Sequence, residues 1–215
     1  MMQNRKIAVF DFDETLISVN SFPLWCKWLL TKSIREFKLT LVFKLFFLFS
    51  ERKLLKTITH TSFKEQLCAL KYPSSWDFDF SDYLNDKQWN EEIVNELLEH
   101  KKNSNYVLVT SAAPTKYLLP IIKSRLSTQV DKIIGSSIDN HVYLDNYKEN
   151  KVASLYQENI KNIDFLYTDS LDDLPLMKIA DEVNFILDKS AKLPVIKDAL
   201  HQHHINNVNF IKVNN

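Results

Sequence analysis

The stretch Ile7-Ala8-Val9-Phe10-Asp11-Phe12-Asp13-Glu14-Thr15-Leu16 decides how the rest of the chain is read. Four apolar residues run into a carboxylate, an apolar spacer, a second carboxylate and a threonine, the pattern by which a buried strand delivers charged groups to its carboxyl end. Asp11 and Asp13 lie two apart and share a face if the strand stays regular, unless the turn that begins here parts them. Like charges so close are costly without a cation, a positive side chain or backbone N–H groups to compensate them. An Asp-x-Asp pair is a weak signal alone, so the later chain decides whether it does chemistry.

Three later stretches bear on it. Val107-Leu108-Val109-Thr110-Ser111 is a second apolar run ending in hydroxyls, Lys151 stands near the start of an expected helix, and Phe165-Leu166-Tyr167-Thr168-Asp169-Ser170-Leu171-Asp172-Asp173 is a third strand leading into an acidic loop. With Asp11 and Asp13 they resemble, in order, strand context and residue type, the four motifs of the haloacid-dehalogenase-like phosphohydrolase superfamily. The resemblance implies an α/β fold: a Rossmann-like core with a mostly parallel central sheet, residues 1–17 and 87–215, and an inserted helical cap, residues 18–86.

It also implies a chemistry. A phosphomonoester dianion repels a negative nucleophile, so an enzyme must neutralise the phosphoryl oxygens, place the attacking atom and protonate the leaving oxygen. By resemblance Asp11 is the nucleophile that forms an aspartyl-phosphate, and Asp13 is acid to the leaving group and then base for water. Asp169 binds Mg²⁺ together with Asp11 and the backbone carbonyl of Asp13, a hard oxygen set suited to that ion. Lys151 pairs with the charge on Asp11 and the phosphoryl group, Thr110 donates a hydrogen bond to a phosphoryl oxygen, Ser111 adds backbone or hydroxyl contacts, and Asp173 holds a metal water or orients Lys151. Lys148 competes with Lys151, which is preferred because Val152-Ala153-Ser154-Leu155 follows it in the family's manner. Asp172 stands where relatives often have asparagine, and Glu14 where many have glycine.

Plainer readings compete with these. Asp169 and Asp173 could cap a helix, Lys151 could lie on a solvated helix face, and Thr110 could be a strand-end hydroxyl. The six histidines show no zinc-type arrangement.

The totals fit one core domain with a smaller companion: 215 residues, 25.3 kDa, 45% hydrophobic and 25% charged. A formal charge of zero hides an uneven distribution. Between Lys27 and Lys56, Lys27, Lys32, Arg35, Lys38, Lys44, Arg52, Lys53 and Lys56 face only Glu36 and Glu51. Gly135 is the sole glycine, which excludes glycine-rich nucleotide loops and passes its turns to asparagine, aspartate, serine or proline. Cys26 and Cys68 lack metal-ligand spacing and read as reduced thiols. No secretory segment opens the chain, so the cytoplasm is expected, with a peripheral place at the inner face of a membrane as the alternative.

Within the cap, helical spacing is read at Phe22 to Leu29, over Ile34 to Phe49 and over Arg52 to Leu70, and the aromatics Trp76, Phe78, Phe80 and Tyr83 are expected to fill the cap core. The segment from Ile34 to Phe49 is apolar around most of its circumference yet short of the ~20 residues a bilayer span needs. It reads as a central cap helix, a membrane-lying surface or a partner interface. Beyond the cap, helices are expected over 89–100, 151–159, 174–180 and 193–201, and strands over 106–109, 130–134, 141–144, 163–167, 183–187 and 208–213.

The cap resembles that of the phosphoserine-phosphatase-like branch. True phosphoserine phosphatases carry a glutamate soon after the first motif, whereas this chain has Asn20 there and no acid, which disfavours phosphoserine. The stretches Phe22 to Leu30 and Arg35 to Phe49 also resemble bacterial phosphatidylglycerophosphate phosphatases. The expected partner is therefore a phosphorylated small molecule, with a lipid phosphate and peripheral membrane contact as the alternative. A phosphotransferase and a noncatalytic binding protein stand behind these. No aromatic and basic module argues for nucleic acid, and nothing signals oligomeric state.

Overall fold

The computed structural model describes residues 5–84, 88–188 and 192–213. Strand β1 (Ile7–Phe10) has no polar side chain, because it lies in the middle of a sheet covered on both faces. Its side chains alternate between two cores. Ala8 and Phe10 enter one, and Val9 enters the other.

β1 pairs in parallel with β2 (Tyr106–Pro114) on one side and β5 (Ile163–Thr168) on the other. With β3 (Lys132–Asp139), β4 (Val142–Leu144), β6 (Ala180–Leu187) and β7 (Val208–Lys212), the order is β4-β3-β2-β1-β5-β6-β7, and only the β3–β4 hairpin is antiparallel. The chain winds outward from β1 through β2 and β3, then returns to β5 on the opposite side. That reversal opens a crevice at the carboxyl ends of β1, β2 and β5. The expected α/β class with a mostly parallel sheet is the one that forms.

Four helices, α1 (Ser21–Arg35), α2 (Leu39–Ser50), α3 (His60–Cys68) and α4 (Ser75–Tyr83), are inserted between β1 and β2 and form the cap. Helices α5 (Glu91–Lys102) and α6 (Thr115–Leu126) share their core with this cap, while α7 (Glu149–Gln157), α8 (Leu174–Met177) and α9 (Leu193–Gln202) cover the other face. Cap and sheet layer meet at Tyr117 of α6, whose ring lies 5.0 Å from that of Trp25 and 5.3 Å from that of Phe80. The boundary expected at residues 86 and 87 lies outside the described residues.

Several sequence expectations need correction. The segment from Ile34 to Phe49 is not one helix: α1 ends at Arg35 and the backbone turns at Phe37, which has φ 54. The helix expected over Arg52 to Leu70 is likewise split, since a π-helical turn over Glu51–Leu55 ends on Lys56 at φ 54 and Thr59 caps α3 by accepting a bond from the Ser62 N–H. β3 continues through Ser136 to Asp139, so the β3–β4 turn is at Asn140 and His141. β2 runs on to Pro114, and α8 stops at Met177 so that Ala180 already begins β6.

The cap is more open than expected. Trp76 and Phe80 are buried, but Phe78 and Tyr83 are exposed. On α2 only Leu41, Leu45 and Leu48 are buried, so this helix covers the cap with one face and is not its centre. Among the described residues nine non-glycine positions take positive φ, including glutamate, phenylalanine, lysine and histidine, beyond the turn formers anticipated for a chain with one glycine. Gly135 serves close approach instead: a Cβ there would stand 2.7 Å from the Ala113 carbonyl oxygen and 2.8 Å from the Thr115 hydroxyl.

Candidate active site

β1 ends at Phe10, so the turn does part the two aspartates. Asp11 is the first residue beyond the strand, and its N–H still donates to the carbonyl of Tyr167 at 2.9 Å. Its Oδ1 accepts from Lys151 Nζ at 2.7 Å, and the same ammonium reaches the two oxygens of Asp173 at 2.8 and 2.9 Å. All three side chains are buried. Thr168, the last residue of β5, donates its hydroxyl to Asp173 at 2.8 Å. Lys151 reaches this place from the first turn of α7. Lys148 pairs instead with exposed Asp172 at 3.3 Å, where Tyr147 also donates to that carboxylate at 2.6 Å.

Asp13 faces the cap. Its Oδ1 accepts the backbone N–H of Ser21 at 2.8 Å, the opening residue of α1, where a helix favours negative charge. The Ser21 hydroxyl lies 3.0 Å from that of Tyr117. Asp169 follows β5 and accepts from the Thr15 hydroxyl at 3.0 Å. Asn90 ties this loop down, donating its side-chain N–H to the Thr15 carbonyl at 3.1 Å and its backbone N–H to that of Leu16 at 2.9 Å. Glu14 sits at φ 59, a conformation glycine takes without penalty and a glutamate takes at a steric cost of ~1–2 kcal/mol.

Burial dominates the electrostatics. It pushes Asp11 well above the usual carboxylate range, with Lys151 pulling the other way and the nearby Asp173 and Asp169 adding to the rise. It raises Asp13 to about 6 against the bonds from Ser21, and Asp169 to about 7 against the bond from Thr15. Burial also works against charge on Lys151, but Asp11 and Asp173 outweigh it and hold the ammonium charged.

Four carboxylates thus share one ammonium, with Asp11 and Asp173 buried and Asp13 and Asp169 half-buried at the mouth, which is the setting for a bound cation. The expected Mg²⁺ donors fit this test: the Asp169 carboxylate is close enough to Asp11 to raise it, and both are hard oxygen ligands. Among the described residues no cluster of three or more His, Cys, Asp or Glu side chains forms a metal site. The expected set has only two such side chains, with the Asp13 backbone carbonyl as third donor.

Thr110 and Ser111 lie one and two residues past the last β1–β2 pair, Phe10 with Val109, and both are buried. The Thr110 hydroxyl accepts from Asn146 Nδ2 at 2.9 Å, which leaves its own hydrogen to donate. Asn146 also donates to the Ser111 carbonyl at 2.9 Å, and the Ser111 hydroxyl accepts the Ala113 N–H at 3.0 Å. Lys64 of α3, itself buried, reaches across to the Ala112 carbonyl at 2.8 Å and Asp145 at 2.7 Å. Sequence reasoning missed Thr15, Ser21, Lys64, Asn146 and Thr168. Only Thr15, two residues after Asp13, and Thr168, beside Asp169, carried any signal.

A doubly wound sheet with carboxylates and a lysine gathered at its switch point defines an α/β enzyme with a strand-end site. The model of the haloacid dehalogenase-like hydrolases matches residues 8–178, and the chain belongs to that family and is a hydrolase. Solved structures share the fold at low identity. A protein of unknown function from Bordetella pertussis Tohama I superposes with a TM-score of 0.70 at 16% identity, covering 98% of each chain. A phosphoserine phosphohydrolase-like protein from Francisella tularensis subsp. tularensis SCHU S4 gives 0.60 at 14% identity, covering 95% of this chain and 94% of its own. A probable phosphoserine phosphatase from Vibrio cholerae gives 0.60 at 13% identity, covering 97% of this chain and 63% of its own. No curated protein matches.

Proposed function

We propose that this hydrolase is a Mg²⁺-dependent phosphomonoester hydrolase that works through an aspartyl-phosphate on Asp11. The observation that carries the reading is the contrast in what holds two carboxylates two residues apart: Asp11 is clamped to the Lys151 ammonium at 2.7 Å, while Asp13 turns to the cap and accepts the Ser21 backbone N–H at 2.8 Å. A nucleophile and an acid–base group need that kind of separation.

Asp11 attacks phosphorus as the ester P–O bond breaks, and Asp13 gives its proton to the leaving oxygen. Asp13, now ionised, takes a proton from the water that attacks the aspartyl-phosphate, which releases phosphate and restores Asp11. A carboxyl titrating near 6 changes protonation state close to neutrality. Lys151 holds Oδ1 of Asp11 and offers positive charge to the phosphoryl group, Asp173 and Thr168 fix the lysine, and Asn146 orients Thr110 and Ser111 toward phosphoryl oxygens. Bound by Asp11, Asp169 and the Asp13 carbonyl, Mg²⁺ supplies charge neutralisation for the phosphoryl group. Residues 18–86 are the proposed cap domain and 1–17 with 87–215 the core.

Phosphoserine is disfavoured as substrate, because Asn20 uses its side chain to cap α1 by accepting from the Phe22 N–H at 3.2 Å and brings no acid to the site. A lipid phosphate is the second reading. A cavity of about 700 Å³ in the cap begins at Phe22, one residue past the Asp13 contact, and combines Phe49 and Phe63 with Arg52, Lys53 and Lys56. No described helix is long and apolar enough to cross a membrane.

Mg²⁺-dependent phosphate release from a panel of sugar phosphates, nucleotides, phosphoserine and phosphatidylglycerophosphate in mixed micelles tests the proposal. Turnover of a soluble ester is expected. Selective turnover of the lipid would promote the second reading, and transfer to an added alcohol in place of water would reassign the chain as a phosphotransferase.

A further inference from the structure

Helix α2 carries two apolar faces. Leu41, Leu45 and Leu48 pack inward, and on the opposite side Leu39, Phe43, Phe46 and Phe47 recur at the same helical spacing in solvent, followed by Leu54. Their exposures run from 60 to 76%, and Phe37, held outward at the α1–α2 turn, reaches 84%. A fully exposed phenylalanine presents roughly 150–250 Å², so these side chains together exceed the few hundred Å² usual for the largest apolar patch on a monomer.

The charge around the patch has one sign. From Ile34 to Lys56 there are six cations, Arg35, Lys38, Lys44, Arg52, Lys53 and Lys56, against Glu36 and Glu51, in a chain whose total is zero. Glu36 is already paired with Lys32 at 2.9 Å, and α2 itself contains no acid. The basic end of the patch also borders the cap cavity, which is lined by Arg52, Lys53 and Lys56.

We infer that the outer face of α2, with the turns at its two ends, seats this chain on an anionic lipid surface. The inference goes beyond the phosphatase reading and does not depend on it. A 12-residue helix is ~18 Å long, too short to span, so it lies in the plane of the headgroups with its phenylalanines in the acyl boundary and its cations at the phosphates. A second copy of the chain fits less well, because a two-fold contact through this face brings the same cations against their own mates.

Flotation of the full chain with vesicles tests it, comparing phosphatidylcholine alone with phosphatidylcholine containing one-third phosphatidylserine, at low and high salt. Binding is expected only to the anionic vesicles and is weakened by salt. Phe43→Ser/Phe46→Ser/Phe47→Ser is expected to lower partitioning at least about tenfold while circular dichroism and the thermal midpoint hold, since these side chains support no core. Lys38→Gln, Lys44→Gln and Lys53→Gln are each expected to lower it about fivefold at low salt. No vesicle binding by the native chain, or unchanged binding by the phenylalanine variant, would overturn the inference. So would a dimer in light scattering that the same variant dissolves while vesicles capture nothing.

Discussion

At the strand ends, charged side chains sit out of water; on the outer face of α2, large apolar side chains sit in it. Each region inverts the ordinary partition of residues, and each carries a counterweight of a different kind. The strand-end site is balanced in part from within: Lys151 divides its charge between Asp11 and Asp173, Ser21 and Thr15 give hydrogen bonds to Asp13 and Asp169, and the remaining negative charge suits a cation. The α2 face finds no such partner within the described chain, and its cations point to one outside it. An internal network is specific to one geometry, whereas a lipid surface asks only for apolar area and charge.

Substitutions at the two regions should therefore differ in kind. Lys151→Met leaves two buried carboxylates without their cation, and a loss of ~3–5 kcal/mol is expected in urea unfolding. A loss under ~1 kcal/mol would mean that the triad is not the ionised network described. Within α2 the contrast sharpens: Leu45→Ala empties a fully buried position and should cost ~2–5 kcal/mol, while Phe46→Ser should stay within ~0.5 kcal/mol. Equal costs would show that the outer face is covered.

Adding Mg²⁺ should stabilise the folded chain by ~2.7 kcal/mol at one hundred times its dissociation constant, read as a rise in thermal midpoint that a chelator reverses. Asp169→Asn should lose that rise, and if it keeps it the metal sits elsewhere.

A pH-dependent effect belongs to His100, whose Nδ1 accepts from Asn105 and whose Nε2 therefore donates to Tyr167 at 3.0 Å. Burial lowers its pKa, Lys6 adds to that, and Glu96 and Glu182 oppose it. The folded state thus binds this proton less readily than the unfolded chain, so the contribution is full above the ordinary histidine value and is lost as pH falls through the lowered one. Stability of the native chain relative to His100→Gln should decline below pH ~6.5, by at most ~1.4 kcal/mol per pH unit. A constant difference from pH 8 to 5 would refute the shift.

The fold was legible where apolar runs end abruptly in polar side chains, at Phe10–Asp11, Val109–Thr110 and Tyr167–Thr168, since a buried parallel strand has few other ways to stop. The residues that steady the site were not. Asn146 meets Thr110 across 36 positions and Thr15 meets Asp169 across 154, and neither spacing leaves a periodic trace. The breaks at Phe37 and Lys56 were hidden for another reason: both take the left-handed turn that glycine usually announces. The α2 run read as apolar on most sides, but only packing reveals that Leu45 is covered and Phe46 is not.

Trapping the phosphoenzyme would show whether Asp11 is the nucleophile. Acid quench during turnover of a phosphate-labelled ester, followed by peptide mapping, is expected to place a hydroxylamine-labile phosphate on Asp11, with neither label nor turnover in Asp11→Asn. Turnover that persists in Asp11→Asn, or label that maps to another residue, would contradict the account.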